Sequence, residues 1–96
     1  MTKKVAIIMG SDSDLSVMME AADKLKQFDI PYEVHIISAH RTPAAAEQFA
    51  SAAIDNGFGV IIAGAGKAAH LGGVLAAYTT LPVIGVPIKT SMMGGL

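Results

Sequence analysis

The 96 residues allow one small domain: 52% are hydrophobic, only 5% are aromatic and Trp is absent, so a core must be built from Ala, Val, Ile, Leu and Met. Cysteine is also absent, which excludes disulfides and thiolate metal sites. A net charge of −1 without a basic stripe gives no nucleic-acid footprint. All eight carboxylates lie at or before Asp55, and from Asn56 onward only Lys67 and Lys89 carry charge. A half so poor in charge is expected to be mostly buried, in this chain or against other chains.

The apolar run Val5–Met9, bounded by lysines and a glycine, predicts a central strand covered on both faces. It is too short for a signal peptide and lacks a cleavage site. No run approaches the roughly 18 apolar residues of a membrane span, so the expectation is a soluble, cytoplasmic protein with no membrane partner. GSDSD follows, and Ser11 with Asp14 fits an S-x-x-D capping box. Leu15, Met18, Met19, Ala22 and Leu25 recur at helical spacing and predict a helix to about Phe28, stopped by Asp29-Ile30-Pro31. Tyr32–Ile37 alternates, as in a half-exposed strand near a sheet edge. Thr42 and Pro43 start a second helix, with Ala46, Phe49, Ala50 and Ala53 on its buried face and Asn56-Gly57 as its stop. Val60–Ala63 is a third strand, GAGKAAHLGG a glycine-rich turn, Val74–Tyr78 part of a third helix, and Val83–Val86 a fourth strand. Strands alternating with helices predict α/β architecture with a parallel sheet and right-handed crossovers. Ligands of such sheets bind outside the carboxyl ends of the strands. GSDSD, SAHRTP, GAGKAAH and VPIKTS all fall there.

At a helix N-terminus, GSDSD offers backbone N–H groups to an anion, with hydroxyls from Ser11 and Ser13 and a sugar acceptor in Asp14. The same residues also suit a plain capping box. GAGKAA matches a dinucleotide fingerprint but lacks the acid wanted about 20 residues on. Ala68 stands where a Walker A loop needs Ser or Thr, so the loop either cradles something small or is simply a tight turn. Lys67 reads as a solvated charge and His35, beside Glu33, as a surface residue; His70 lies beside the candidate site. His40 is the best proton carrier, since histidine's pKa near 6.5 lets it give and take protons at neutral pH. The bland alternative for His40 is a solvated loop residue. Arg41, the sole arginine, suits a phosphate or carboxylate bidentately. No His/Asp/Glu cluster has metal-ligand spacing, and no serine lies in a G-x-S-x-G elbow.

MGSDSD at 9–14, SAHRTP at 38–43, AGAGKAAHL at 63–71 and LPVIGVP at 81–87 together closely resemble the class I PurE family of N5-carboxyaminoimidazole ribonucleotide mutases. The resemblance implies a three-layer α/β/α sandwich with a flavodoxin-like parallel sheet, in subunits that form octamers. It implies a ribonucleotide substrate and a reaction of de novo purine biosynthesis. A carboxyl group moves from the exocyclic nitrogen of an aminoimidazole ribonucleotide to C4, by decarboxylation and recarboxylation, with no metal or cofactor. His40 would be the general acid/base. Ser11, Ser13, Asp14 and Arg41 would bind the nucleotide, and Ser38, Ala65, Gly66, His70 and Leu71 would line the pocket. Many members have Pro where this chain has Gly72, and Gly where it has Lys67. Members also continue past GGL with a further strand and helices, so residues 1–96 read as one domain ending before its last elements. Two alternatives stand beside the mutase: a direct aminoimidazole ribonucleotide carboxylase using CO2, whose relatives carry Lys in place of Arg41, and an inactive nucleotide-binding fragment.

Overall fold

A computed structural model describes residues 3–39, 41–66 and 71–88. His40, Lys67 and His70, and the segment 89–96, lie outside the described residues. In chain order the elements are β1 (Lys4–Met9), a 3₁₀ turn (Asp12–Asp14), α1 (Leu15–Gln27), β2 (Tyr32–Ile36), α2 (Pro43–Ala52), β3 (Phe58–Gly66), α3 (Leu71–Ala76) and β4 (Val83–Ile88). The strands form one parallel sheet in the order β2-β1-β3-β4.

Strand β1 is central, so both of its faces need cover. Val5, Ile7 and Met9 pack with Met18 and Ala22 of α1 and Ile88 of β4. Ala6 and Ile8 pack on the opposite side with Ala46 and Ala50 of α2 and Leu71 and Leu75 of α3. One helix below the sheet and two above make the expected three-layer α/β/α sandwich. Ile7 and Ile8 are fully buried. Burying each such side chain stabilises the fold by about 1.5–3 kcal/mol.

The helix stops are local and sequence-encoded. Asp29 adopts a left-handed conformation (φ 57°). Its N–H donates to Lys26 O (3.1 Å) and the Ile30 N–H donates to Leu25 O (2.9 Å), a Schellman ending. The turn that follows α2, over residues 53–57, closes in the same manner: Gly57 has φ 90°, and the Phe58 N–H donates to Ala53 O at 3.0 Å.

Two sequence expectations change. β3 runs Phe58–Gly66 rather than Val60–Ala63, because β1 on one side and β4 on the other hold Gly64 in the ladder, and β4 carries the pairing on through Ala65 and Gly66. The glycine-rich segment therefore begins as strand. The capping box does not close. Ser11 Oγ accepts from the Ser13 N–H at 3.2 Å, while Asp14, the residue capping α1, makes no side-chain cap bond. The 3₁₀ turn inserted before α1 moves Asp14 out of the position a box requires. Among the described residues β4 lies at the edge of the sheet, and Ile84 is 53% exposed there. The alternation expected of β2 holds. Tyr32 and Val34 pack toward the α1 side, and Ile37 toward the α2 side.

Candidate functional site

Pairing of β1 with β2 brings two sequence-distant loops together. Met9 lies opposite Ile36 at the carboxyl edge of the sheet, and the Ile37 N–H donates to Met9 O at 2.8 Å. Where the strands end, residues 10–14 rise beside residues 37–39 and 41–42. Between them lies a cleft of about 350 Å³. Gly10, Ser11 and Asp12 form one wall, and Ile36, Ser38, Arg41 and Thr42 the other.

Each wall is fixed by its own short-range bonds. On the first, Ser11 and Ser13 hydroxyls lie 2.9 Å apart, and the Asp14 N–H donates to Ser11 O at 3.1 Å. On the second, Ser38 and Thr42 lock the loop. The Ser38 N–H donates to Thr42 Oγ1 (3.2 Å), the Thr42 hydroxyl donates back to Ser38 O (2.9 Å), and the Arg41 N–H donates to Ser38 Oγ (3.0 Å). Thr42 thus holds the loop instead of capping α2, which receives no side-chain cap bond from it. Pro43 occupies the first turn of α2 as expected. The Arg41 side chain is exposed in the cleft. Among the described residues it forms no ion pair, which leaves the guanidinium's five donors available to an anionic ligand.

Of the residues singled out from sequence, Ser11, Ser38 and Arg41 meet in this cleft. Ser13 touches Ser11 but does not line it. Asp14 sits one turn further along, half-buried at the start of α1. Ala65 and Gly66 are the last residues of β3, at the same sheet edge. Leu71 does not face the cleft: its side chain is 1% exposed and belongs to the core under α2 and α3. Four wall residues, Gly10, Asp12, Ile36 and Thr42, are not among the site residues the sequence singles out. Asp12 is visible in GSDSD, but the S-x-x-D pattern points to Asp14. Ile36 reads as one more apolar strand residue, and only its 52% exposure at the strand's end marks it.

His35 lies away from the cleft, where Glu33 organises a separate cluster. Glu33 accepts from Lys4 Nζ and lies 3.0 Å from His35 Nε2. The His35 and Phe49 rings are 4.9 Å apart. Lys4 lies over the Phe58 ring, 4.5 Å from its centroid. Hydrogen bonds from Lys4 and then His35 hold the Glu33 carboxyl below its ordinary value.

A flavodoxin-like sheet order with its cleft at the carboxyl edge defines a doubly wound α/β protein of the ligand-binding kind. The family description "AIR carboxylase" matches residues 4–96, and the chain belongs to that family. It is 62% identical over 92 residues to the N5-carboxyaminoimidazole ribonucleotide mutase of Pyrococcus horikoshii, covering 96% of this chain and 52% of that protein. It is 59% identical over 93 residues to the mutase of Thermotoga maritima, covering 97% and 54%. A phosphoribosylaminoimidazole carboxylase of Candida glabrata is 58% identical over 92 residues, covering 96% of this chain and 16% of that protein. The crystal structure of Treponema denticola PurE superimposes with a TM-score of 0.83 at 30% identity, over 96% of this chain and 59% of the other. The chain spans about half the length of the curated mutases it matches. Among the described residues, no helix is long and apolar enough to cross a membrane.

Proposed function

We propose that this chain carries the ribonucleotide-binding loops of an N5-carboxyaminoimidazole ribonucleotide mutase, an isomerase of purine biosynthesis. The observation that carries the reading is the cleft itself: Ser11 and Arg41, from loops more than twenty residues apart, line one opening at the carboxyl edge of β1 and β2. The identity to curated mutases supports it. Arg41 and the Ser11 hydroxyl take the phosphate, since guanidinium geometry suits phosphate bidentately. Asp14 takes the ribose hydroxyls. Ala65 and Gly66, at the end of β3, and His70 after them line the base side of the pocket.

His40 precedes Arg41, so the loop that positions the phosphate anchor also positions the proton carrier. His40 as imidazolium protonates the exocyclic nitrogen as the N–CO2 bond breaks and CO2 departs. C4 of the ring then attacks CO2, forming the C–C bond, and the neutral imidazole takes the C4 proton. One proton goes out and one returns, so His40 ends as it began. Holding CO2 beside C4 makes its capture effectively intramolecular. The enzyme so read works in the cytoplasm as a homo-oligomer, an octamer by family resemblance.

The second reading, direct carboxylation with CO2, is not favoured, since relatives 62% and 59% identical are named mutases, although one 58% identical is named a carboxylase. Arg41 in place of Lys weighs against it. The test of the proton role is His40→Asn in the complete protein. Ribonucleotide binding should persist while turnover falls by at least about 10²-fold, the ordinary span of general acid–base catalysis. Near-normal turnover would remove His40 from the mechanism.

A further inference from the structure

Gly64 lies where β3 passes β1 at the carboxyl edge, paired with Met9 on one side and Val86 on the other. The sheet order reverses between β1 and β3, so this is also the topological switch point. The space a side chain would need here is already filled. A Cβ on Gly64 would overlap Met18 Sδ, lie 2.8 Å from Met18 Cε and 3.0 Å from Ile88 Cδ1. Met18 is the fourth residue of α1 and is 1% exposed, and Ile88 is 9% exposed. All three atoms are ends of flexible side chains, so Met18 can turn aside from a Cβ, but at this burial it does so only by displacing its own packing neighbours.

Where Met18 does not turn aside, the displacement falls on the helix that carries it. Met18 enters from α1, and only residues 10–14 link α1 to β1. Raising the first turn of α1 from the sheet therefore moves Ser11 and Asp14 relative to the Arg41 loop, which is anchored on β2 and α2. We propose that Gly64 is a positioning residue: by admitting the Met18 side chain it sets how deep α1 sits, and so the width of the cleft between Ser11 and Arg41. The inference rests on the reading of that cleft as the ribonucleotide site.

The experiment uses the complete protein as wild type, Gly64→Ala, Met18→Ala and the double variant. It reads amide hydrogen exchange across residues 10–18 together with KM and kcat for the N5-carboxylated ribonucleotide. Gly64→Ala should raise exchange in that segment and raise KM about tenfold, with kcat within about threefold, since a small misplacement of a binding group is felt strongly. In the double variant the new methyl occupies space vacated by Met18, and both exchange and KM should move back toward wild type. Should Gly64→Ala fail to fold, the double variant decides alone, by folding with a near-wild-type KM. Unchanged exchange and KM in Gly64→Ala, or no recovery in the double variant, would overturn the proposal. A wild-type protein without turnover would remove the mutase reading, while the exchange comparison would still decide what Gly64 positions.

Discussion

Arg41 and Thr42 divide the work of one loop. Arg41 presents charge to the cleft, and Thr42 holds the backbone that aims it. Arg41→Ala is expected to weaken ribonucleotide binding by roughly 1.5–3 kcal/mol, the range for hydrogen bonds to charged groups, and to leave binding of the unphosphorylated nucleoside nearly unchanged. Titration calorimetry with both ligands checks this, and equal weakening of both would remove the phosphate role. Thr42→Val loses two hydrogen bonds to Ser38, and each contributes about 0.5–1.5 kcal/mol at most in an exposed loop. Its KM should rise several-fold while Thr42→Ser stays near wild type. If Val and Ser behave alike, the hydroxyl does not hold the loop. The place of Arg41 is legible in the amino-acid order alone, because a lone arginine between an apolar strand and a Thr-Pro helix start has few bland explanations. Asp12 is not legible there, since which of two aspartates faces the cleft depends on a 3₁₀ turn that the capping pattern does not specify.

The elements differ in how they are held. Among the described residues β2 is an edge strand, fastened to β1 partly by Glu33, which joins Lys4 of β1 to His35 of β2. Because the Glu33 carboxyl is held below its ordinary value of 4.5, its contribution is complete above pH 4.5 and is lost as pH falls through the lower folded value. Glu33→Gln should therefore lower stability at neutral pH and flatten the acid limb of a stability–pH curve. Denaturant melts between pH 3 and 7 measure this, and an unchanged acid slope would show that the pair contributes nothing measurable. At the end of α1, Asp29 sits in left-handed backbone where Gly is preferred, so Asp29→Gly should stabilise by up to about 1 kcal/mol. A lowered melting temperature would mean the Asp29 side chain contributes something the backbone reading omits. Helix stops are largely carried by local signals such as Asn56-Gly57, and the burial of β1 by its apolar run. The extent of β3 is not, because its last residues are strand only through pairing with neighbours far away in sequence.

Among the described residues, the four strands and three helices bury β1 on both faces but leave β4 half open, with Ile84 53% exposed. Apolar, unpaired edges recruit other chains. A polypeptide of these 96 residues is therefore expected to self-associate, and Ile84→Lys to reduce that association, as followed by sedimentation over a concentration series. A monodisperse monomer at all concentrations would contradict it. The sandwich brings the GSDSD and SAHRTP loops to one edge, and the proposed chemistry needs only what those loops and their neighbours supply. The direct measurement is to incubate the complete protein with N5-carboxyaminoimidazole ribonucleotide, without ATP and with bicarbonate removed, and to follow formation of the C4-carboxylated product. The account expects interconversion to proceed with the carboxyl carbon retained. A strict requirement for added CO2 or bicarbonate would contradict it and assign the cleft to direct carboxylation.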